Sequence, residues 1–311
     1  MLKVTAKIVA ELRKKTGAGI MDCKKALISR KNIEDAIIFL RENGLAKAIE
    51  KSSRIATDGL IGMKISKDSA VLLEINCETD FVSRGDDFKF FVNKLINEAM
   101  ELNFIESDQE QVEKLLNTVV CFANKTKTVK QIIDDMVYLI GEKVSLRRIA
   151  TLNKGNFFGG YLHCGGNVGV ILSMKVADKT KIKHKEINIL AKNISMHIAA
   201  MSPLSISRNL INSSEIDIER KIFKKQAIEQ GKPKQIVEKN VNGKMEKFFA
   251  KNCLLEQSFI KNSEINIKDL INEISEKFDT KIIINKFIRF KVGEGIYKKH
   301  VNFADEVAKI V

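Results

Sequence analysis

The sequence predicts an α+β protein in which strand hairpins alternate with amphipathic helices. Along the first fifty residues, apolar side chains recur every three or four positions, which is the period of a helix face. From residue 59 the pattern changes to two runs of strand character around a polar turn, followed by a helix, and the same order returns about a hundred residues later. Two related strand–strand–helix units are most simply packed as two antiparallel sheets, each covered by helices.

Three short helices joined by tight turns are predicted at the N-terminus. Apolar residues at every fourth position from Val4 predict the first helix, which ends before Gly17. Asp22 is suited to cap a second helix and Asn32 to cap a third, which Gly44 should end. A bundle of this size buries little apolar surface, so we expect a docking module rather than a catalytic domain.

The two strand–strand–helix units follow from residue patterns alone. In the first unit, residues 59–65 and 70–76 form the hairpin, and the helix that follows has one apolar face. In the second unit, residues 160–164 and 168–176 flank a Gly-Gly-Asn turn, and the next helix carries His197 on its apolar stripe. A hydrogen-bonded core histidine explains His197 better than a metal ligand does.

An antiparallel helical hairpin is predicted after the second unit's helix. Residues 215–230 and 234–249 are both amphipathic, and Gly231-Lys232-Pro233 between them breaks the helix. The apolar residues expected to face each other are Ile218, Ile222 and Phe223 on the first arm and Val237, Val241 and Met245 on the second. The hairpin is rich in lysine on its outside, so it can project into solvent.

Strand character returns at residues 282–284 and 287–292, and the chain ends in a short predicted helix. Phe303, Val307 and Ile310 form the apolar stripe of that helix. A helix of this length is unstable alone, so it must pack either on the protein's own core or on a partner.

The charge balance bears on the choice of partner. The 311 residues include 53 Lys and Arg against 39 Asp and Glu, a formal net charge of +14. A basic surface attracts polyanions, so nucleic acid and acidic proteins are both candidates. The lysines are nevertheless interleaved with acidic and apolar residues, without the aromatic and basic array that stacks bases. Nucleic acid is therefore not expected as the primary partner, although a contact of the lysine-rich hairpin with RNA or the ribosome stays open.

The cysteines and the apolar runs restrict the setting of the protein. Five scattered cysteines without CxxC spacing predict neither a disulfide framework nor a zinc site, so no metal is expected. No run approaches the roughly 18 apolar residues of a membrane span. These features favour a reduced, cytoplasmic protein with no membrane partner.

Two continuous segments are more specific than these patterns. Residues 12–27 read LRKKTGAGIMDCKKAL, and residues 74–84 read EINCETDFVSR. In this order and at this separation they resemble the two signature segments of the elongation factor Ts family. Residues 230–234 and 287–296 are similar to two further segments of the family, and the resemblance runs from about Thr5 to the C-terminus.

The resemblance implies a guanine-nucleotide exchange factor that is not an enzyme and needs no cofactor. Members of the family bind elongation factor Tu in its GDP-bound and nucleotide-free states and promote GDP release, so that GTP can rebind. The family segment that displaces the bound Mg²⁺ corresponds here to Thr79, Asp80, Phe81 and Val82. In the family, this phenylalanine wedges between two helices of the GTPase domain.

The resemblance also implies a domain organisation and two further contacts. The segments are a ubiquitin-associated-like three-helix domain at residues 1–54, a core N-subdomain at 55–145, a core C-subdomain at 146–205 and 251–296, an inserted helical hairpin (a coiled coil) at 206–250, and a C-terminal helical module at 297–311. The further contacts are an N-terminal docking loop of Ala18, Gly19, Ile20 and Met21 and the C-terminal stripe of Phe303, Val307 and Ile310. Homodimerisation stays open, and no role is transferred to residues 102–130 and 180–185, which match the family poorly.

Two interpretations of Phe81 compete: a core aromatic at a strand end, or an exposed residue that contacts a partner. The polar residues Thr79 and Asp80 before it and the polar loop after it favour exposure. The related junction of the second unit, Val176-Ala177-Asp178-Lys179, carries no aromatic residue, so the fold does not require one there. Asp80 could serve a contact, a turn cap, or both.

Two rival functions remain at this stage. A basic RNA-binding protein predicts tight, salt-sensitive binding to RNA. An enzyme with a pocket between subdomains predicts turnover of a small molecule, but no catalytic group occurs at a recognisable spacing. Residues 16–19 lack the Walker spacing and a preceding strand, so a tight turn explains them better than a phosphate loop.

Overall fold

The structure confirms the expected α+β class. It is a computed structural model, and it describes residues 4–16, 18–30, 32–102, 108–122, 125–230 and 233–296. Helices and antiparallel sheets alternate along this part of the chain. Phe303, Val307 and Ile310, predicted for a C-terminal contact, lie outside the described residues. None of the described helices has the length and apolar content needed to cross a membrane.

Eleven α-helices and ten strands are assigned within the described ranges. The helices are α1 (Ala6–Thr16), α2 (Ile20–Ser29), α3 (Ile33–Lys51), α4 (Asp80–Arg84), α5 (Asp86–Glu101), α6 (Asp108–Asn117), α7 (Val129–Ile140), α8 (Lys185–Met201), α9 (Ser213–Glu229), α10 (Lys234–Asn252) and α11 (Ile267–Lys277). The strands are β1 (Asp58–Ile65), β2 (Ala70–Cys77), β3 (Val119–Phe122), β4 (Lys125–Thr128), β5 (Val144–Leu152), β6 (Phe157–Leu162), β7 (Val168–Val176), β8 (Ser258–Phe259), β9 (Asn262–Asn266) and β10 (Ile282–Lys291).

The three predicted N-terminal helices are present, but two of their predicted ends are wrong. Helix α2 begins two residues before Asp22, with Gly19 at its N-cap. Asp22 lies in the first turn, where its negative charge interacts favourably with the helix dipole. Helix α3 does not end at Gly44. A side chain at that position would come within 3.3 Å of the Tyr138 ring, so the glycine lets α3 continue while packing closely against α7.

Two three-stranded antiparallel sheets form the core. The first has the order β1-β2-β5 and the second the order β10-β7-β6, so each predicted hairpin is confirmed. Strand β6 begins at Phe157, earlier than the predicted Gly160. Strand β5 was not predicted; it crosses the expected domain boundary at residue 145 and pairs with β2, so its residues belong with the first sheet. Strand β10 is one strand with a register shift around Asn285, rather than two separate runs.

The sheets and helices stack in four layers. One face of the first sheet packs on α5, α6 and α7, and one face of the second sheet packs on α8 and α11. The other two faces meet each other in a shared apolar layer. Its fully or nearly buried members are Ile61, Ala70, Leu72, Ala150, Leu152, Phe158, Ile171 and Phe290.

A buried carboxylate fastens the two sheets at one end of this layer. The side chain of Glu74 on β2 is inaccessible to solvent. Its oxygens accept hydrogen bonds from Arg147 Nη1 at 3.0 Å and Arg148 Nε at 2.5 Å, both on β5. The backbone N–H of Gly293, just after β10, donates to the same carboxylate at 2.8 Å. A buried charge requires such partners, and these come from both sheets.

The helical hairpin is formed by α9 and α10, with a seam that differs from the predicted one. Ile218 and Ile222 are 56% and 42% exposed, so their assignment to the seam was wrong. The predicted Phe223 does pack in the seam, and Ile216 and Ala227 join it in place of Ile218 and Ile222, because α9 carries apolar residues on two adjacent faces and only one of them meets α10. The predicted residues of the second arm, Val237, Val241 and Met245, are buried as expected.

Candidate functional site

Phe81 projects from the junction between the first sheet and its covering helix. Strand β2 ends at Cys77, and the five-residue helix α4 then carries Phe81 before α5 begins. The Phe81 side chain is 84% exposed, more than any other large apolar side chain in the part of the chain that the structure describes. Its neighbour Val82 packs against the core below the sheet, so α4 has one anchored side and one free aromatic. Phe81 is therefore not a core residue.

Thr79, immediately before α4, is fixed through three of its atoms. Its backbone N–H and its hydroxyl donate to the two carboxylate oxygens of Glu142, at 3.0 Å and 2.7 Å. Its carbonyl accepts a hydrogen bond from the Cys77 thiol at 3.1 Å. Burial raises the pKa of Cys77 to about 12, so the thiol keeps the proton that it donates.

Asp80 opens α4 and remains accessible. Its carboxylate pairs with Arg84, one turn further on, at 3.0 Å, and both side chains are well exposed. An exposed pair of this kind contributes little to stability, so the charge of Asp80 is available to a partner. The Ser83 hydroxyl donates to the Asp80 carbonyl at 3.1 Å, which holds the turn from its buried side.

The predicted N-terminal docking loop divides into exposed and buried residues. Gly19 is exposed, and the side chains of Ile20 and Met21 are 54% and 61% exposed at the start of α2. Ala18 is only 1% exposed and packs inside the three-helix core, so it cannot serve as a surface contact in this conformation. Its carbonyl accepts a hydrogen bond from the buried Cys23 thiol at 3.6 Å, which explains its inward position.

Sequence reasoning missed Glu142, which the fold brings to Thr79 from 63 residues away. Glu142 follows α7 in a short polar connection, and no periodic pattern marks it as different from other surface glutamates. His197, by contrast, is a hydrogen-bonded core residue as predicted. Its ring is buried and contacts Gln257 and the backbone N–H of Ile260.

A cavity of about 420 Å³ lies elsewhere, between the N-terminal helices and α7. Its walls are mainly apolar and include Ile37, Leu40, Ile132 and Met136. None of the residues predicted to contact a partner lines it. A second cavity beside α1 is lined in part by Ile20 and Lys24 of the first motif. The exposed aromatic at the strand–helix junction lies apart from the first cavity.

The fold and the site define an α+β protein that displays an apolar side chain from a firmly held turn. The family model described as Elongation factor TS matches residues 78–294. Elongation factor Ts of Clostridioides difficile (strain 630) is 39% identical over 312 residues, 99% of each chain. Elongation factor Ts of Clostridium novyi (strain NT) is 41% identical over 310 residues, 98% of each chain. This chain belongs to the elongation factor Ts family, as its two motifs indicated.

Proposed function

We propose that this protein is the nucleotide-exchange factor of elongation factor Tu in translation elongation and that it uses Phe81 as a wedge. The observation that carries the proposal is the 84% exposure of Phe81 on a turn whose neighbours are anchored. Membership of the elongation factor Ts family names the partner. An exposed phenylalanine gains free energy when a partner covers it, since burial removes its apolar surface from water.

Exchange of this kind requires no nucleophile and no cofactor. GDP is held on a GTPase by backbone N–H groups around its phosphates and by Mg²⁺. A protein that binds the nucleotide-free GTPase more tightly than the GDP-bound form must, by thermodynamic linkage, weaken the binding of GDP. The wedge supplies this difference in affinity if its pocket opens only when the Mg²⁺ site is disturbed.

The roles of the four site residues differ. Phe81 enters the partner, and Asp80 places a carboxylate beside it near the Mg²⁺ site. Val82 anchors the turn to the core, and Thr79 fixes where the turn begins. Displacement of Mg²⁺ is thus assigned to Phe81 and Asp80, and presentation to Thr79 and Val82.

Further parts of the proposal concern docking and domain organisation. Gly19, Ile20 and Met21 form the N-terminal contact, supported by their exposure, and residues 297–311 form the C-terminal contact. The proposed ubiquitin-associated-like domain comprises α1 to α3, and the two core subdomains divide after β5, because β5 pairs with β2. A cytoplasmic location stays a prediction from the cysteine pattern.

The test is the release of fluorescent GDP from elongation factor Tu, followed by stopped flow. Burying a phenylalanine contributes roughly 1.5–3 kcal/mol, and a tenfold change in rate corresponds to about 1.4 kcal/mol. Phe81→Ala should therefore slow stimulated release by roughly tenfold to a hundredfold. Asp80→Ala should have a smaller effect, because a charge next to a partner acts partly through solvent.

Two matched phenylalanines serve as controls. Phe90 on α5 is 62% exposed but lies outside the motif, so Phe90→Ala should release GDP at nearly the wild-type rate. Phe88 is buried, so Phe88→Ala should cost about 3–5 kcal/mol of stability and lower the melting temperature. Phe81→Ala should melt like the wild type; wild-type exchange by this variant would remove the wedge from the proposal.

A further inference from the structure

We propose that Glu142 is a positioning residue for Phe81: its carboxylate holds Thr79 and thereby sets the direction in which the wedge points. The inference rests on the proposed function and adds to it a residue outside both sequence motifs. Glu142 acts through Thr79 and does not itself touch the partner's nucleotide.

The contact between Glu142 and Thr79 fixes the orientation of Thr79 as well as its position. Two carboxylate oxygens accept from two different donors of one residue, the backbone N–H and the hydroxyl. Hydrogen bonds to a charged acceptor are stronger than those between neutral groups. Two such bonds fix both the position and the rotation of Thr79, which is the residue immediately before α4.

Helix α4 needs tertiary contacts, of which this is one beside the packing of Val82, because it cannot order itself. It has only five residues, about one turn, and such a helix is unstable in isolation. A threonine in the N-cap position commonly caps its helix with the side-chain oxygen, but Thr79 makes no such bond here. Its hydroxyl donates to Glu142 instead, so a long-range contact takes the place of local capping.

Glu142 is itself held in a rigid frame. The residue before it, Gly141, ends α7 in the left-handed conformation, with φ 82°, and its carbonyl accepts from Lys51 Nζ of α3 at 2.5 Å. The residue after it, Lys143, donates its backbone N–H to Glu78 at 2.7 Å. Residues 78–79 and 142–143 are therefore joined reciprocally. In each pair, the glutamate carboxylate accepts a hydrogen bond from a backbone N–H of the other pair.

The experiment separates positioning from stability by measuring GDP release over a range of factor concentrations. Loss of the contact frees the backbone of about one residue, and the entropy of fixing it again corresponds to roughly a tenfold change in rate. Glu142→Ala should lower the maximal release rate by roughly tenfold, with little change in the half-saturating concentration. Glu142→Gln, whose amide oxygen can still accept one hydrogen bond, should have a maximal release rate between those of the wild type and Glu142→Ala.

The decisive experiment repeats Glu142→Ala in the Phe81→Ala background. If Glu142 acts through the wedge, the double variant should release GDP at the same maximal rate as Phe81→Ala. A further tenfold fall in that rate would overturn the inference. Thr79→Val, which removes the hydroxyl donor, tests the same contact from the other side and serves if Glu142→Ala melts early. A matched control is Glu98→Ala, which breaks an ion pair with Lys94 on α5. It should leave release unchanged.

The outcomes for the two proposals are distinguishable. If the wild-type protein does not accelerate GDP release, the proposed function fails and the inference fails with it. If the wild type and Phe81→Ala behave as proposed but Glu142→Ala, Glu142→Gln and Thr79→Val all release GDP at the wild-type maximal rate, only the positioning role of Glu142 is wrong.

Discussion

The two strand–helix junctions of the core are built alike but end differently. Each follows the central strand of its sheet, β2 or β7, and leads to the helix that covers that sheet. In the first, Glu142 accepts the backbone N–H of Thr79; in the second, the buried Thr280 hydroxyl accepts the backbone N–H of Asp178 at 2.9 Å. A side chain from a distant loop thus fixes the turn in both cases.

Only the first junction displays an aromatic side chain. Asp178 in the second junction caps a 3-10 helix (Lys179–Lys183) through Thr180, and the exposed residues that follow are mostly lysines. The second junction folds without an apolar projection, so the fold does not require one. Phe81 is therefore a feature added to a common scaffold.

The helices that cover the two sheets, α5 and α8, also differ. Outside the exchange site, this difference should have the largest effect on stability. Every buried side chain of α5 is apolar, whereas α8 buries His197. Ile260 donates its N–H to Nδ1, so the hydrogen bonding assigns the ring proton to Nε2, which donates to Gln257. Burial lowers the pKa of His197, because the charged ring would lose its hydration.

The expected outcome is a loss of stability in acid that originates in the second unit. In the unfolded chain His197 binds a proton near pH 6.5, but in the folded protein only at lower pH. Its contribution is complete above pH 6.5 and is lost as the pH falls towards the folded-state pKa, by about 1.4 kcal/mol for each pKa unit of difference. Urea unfolding at pH 7.5 and pH 5.5 measures this change.

Two variants isolate the contribution of His197 from that of the carboxylates. His197→Gln should unfold with a shallower dependence on pH, although it is less stable at neutral pH. His184→Gln, at an exposed histidine whose ring lies tilted against Phe278, is the matched histidine control. Equal slopes for all three proteins would show that the buried histidine is not the source of the loss.

A smaller effect is expected from the hydroxyl that fixes the second junction. Thr280→Ala leaves the Asp178 N–H without its acceptor, which should cost about 1 kcal/mol of unfolding free energy. GDP release should remain at the wild-type rate, since this junction carries no wedge. Denaturant unfolding and GDP release are measured in parallel on Thr280→Ala. A slowing of GDP release like that expected for Glu142→Ala would mean that both junctions contribute to exchange.

The smallest effect is expected from the helical hairpin of α9 and α10, which among the described residues occurs in the second unit alone. The chain enters and leaves it at one place, because the Leu204 N–H donates to the Asn252 carbonyl at 2.9 Å. Replacing residues 214–247 by a short Gly/Ser linker should leave the melting temperature of the core nearly unchanged. Calorimetry and gel filtration are the measurements; aggregation of the shortened protein would instead make the hairpin part of the core.

The comparison also shows what the sequence could predict. The central strands β2 and β7 are nearly continuous buried runs, and the helices that cover them each have an apolar face, so their positions were predictable within a few residues. Strand β5 was not, because the adjacent charges of Arg147 and Arg148 break its alternation, and their partner Glu74 lies in another strand. The local context of Phe81 indicated exposure, whereas its support by Glu142 depends on a contact that only the tertiary fold creates.

The buried Glu74 carboxylate has a consequence for how the protein comes apart. If one sheet separated from the other, the shared apolar layer would be exposed to water. The Glu74 carboxylate would also lose the hydrogen bond from the Gly293 N–H, although it would keep those from Arg147 and Arg148 in its own sheet. Both losses occur together, so neither sheet has a low-energy route to unfold while the other persists. The core should therefore behave as a single cooperative block. Under the proposed function, a core that unfolds only as one block gives the turn that carries Phe81 a fixed support.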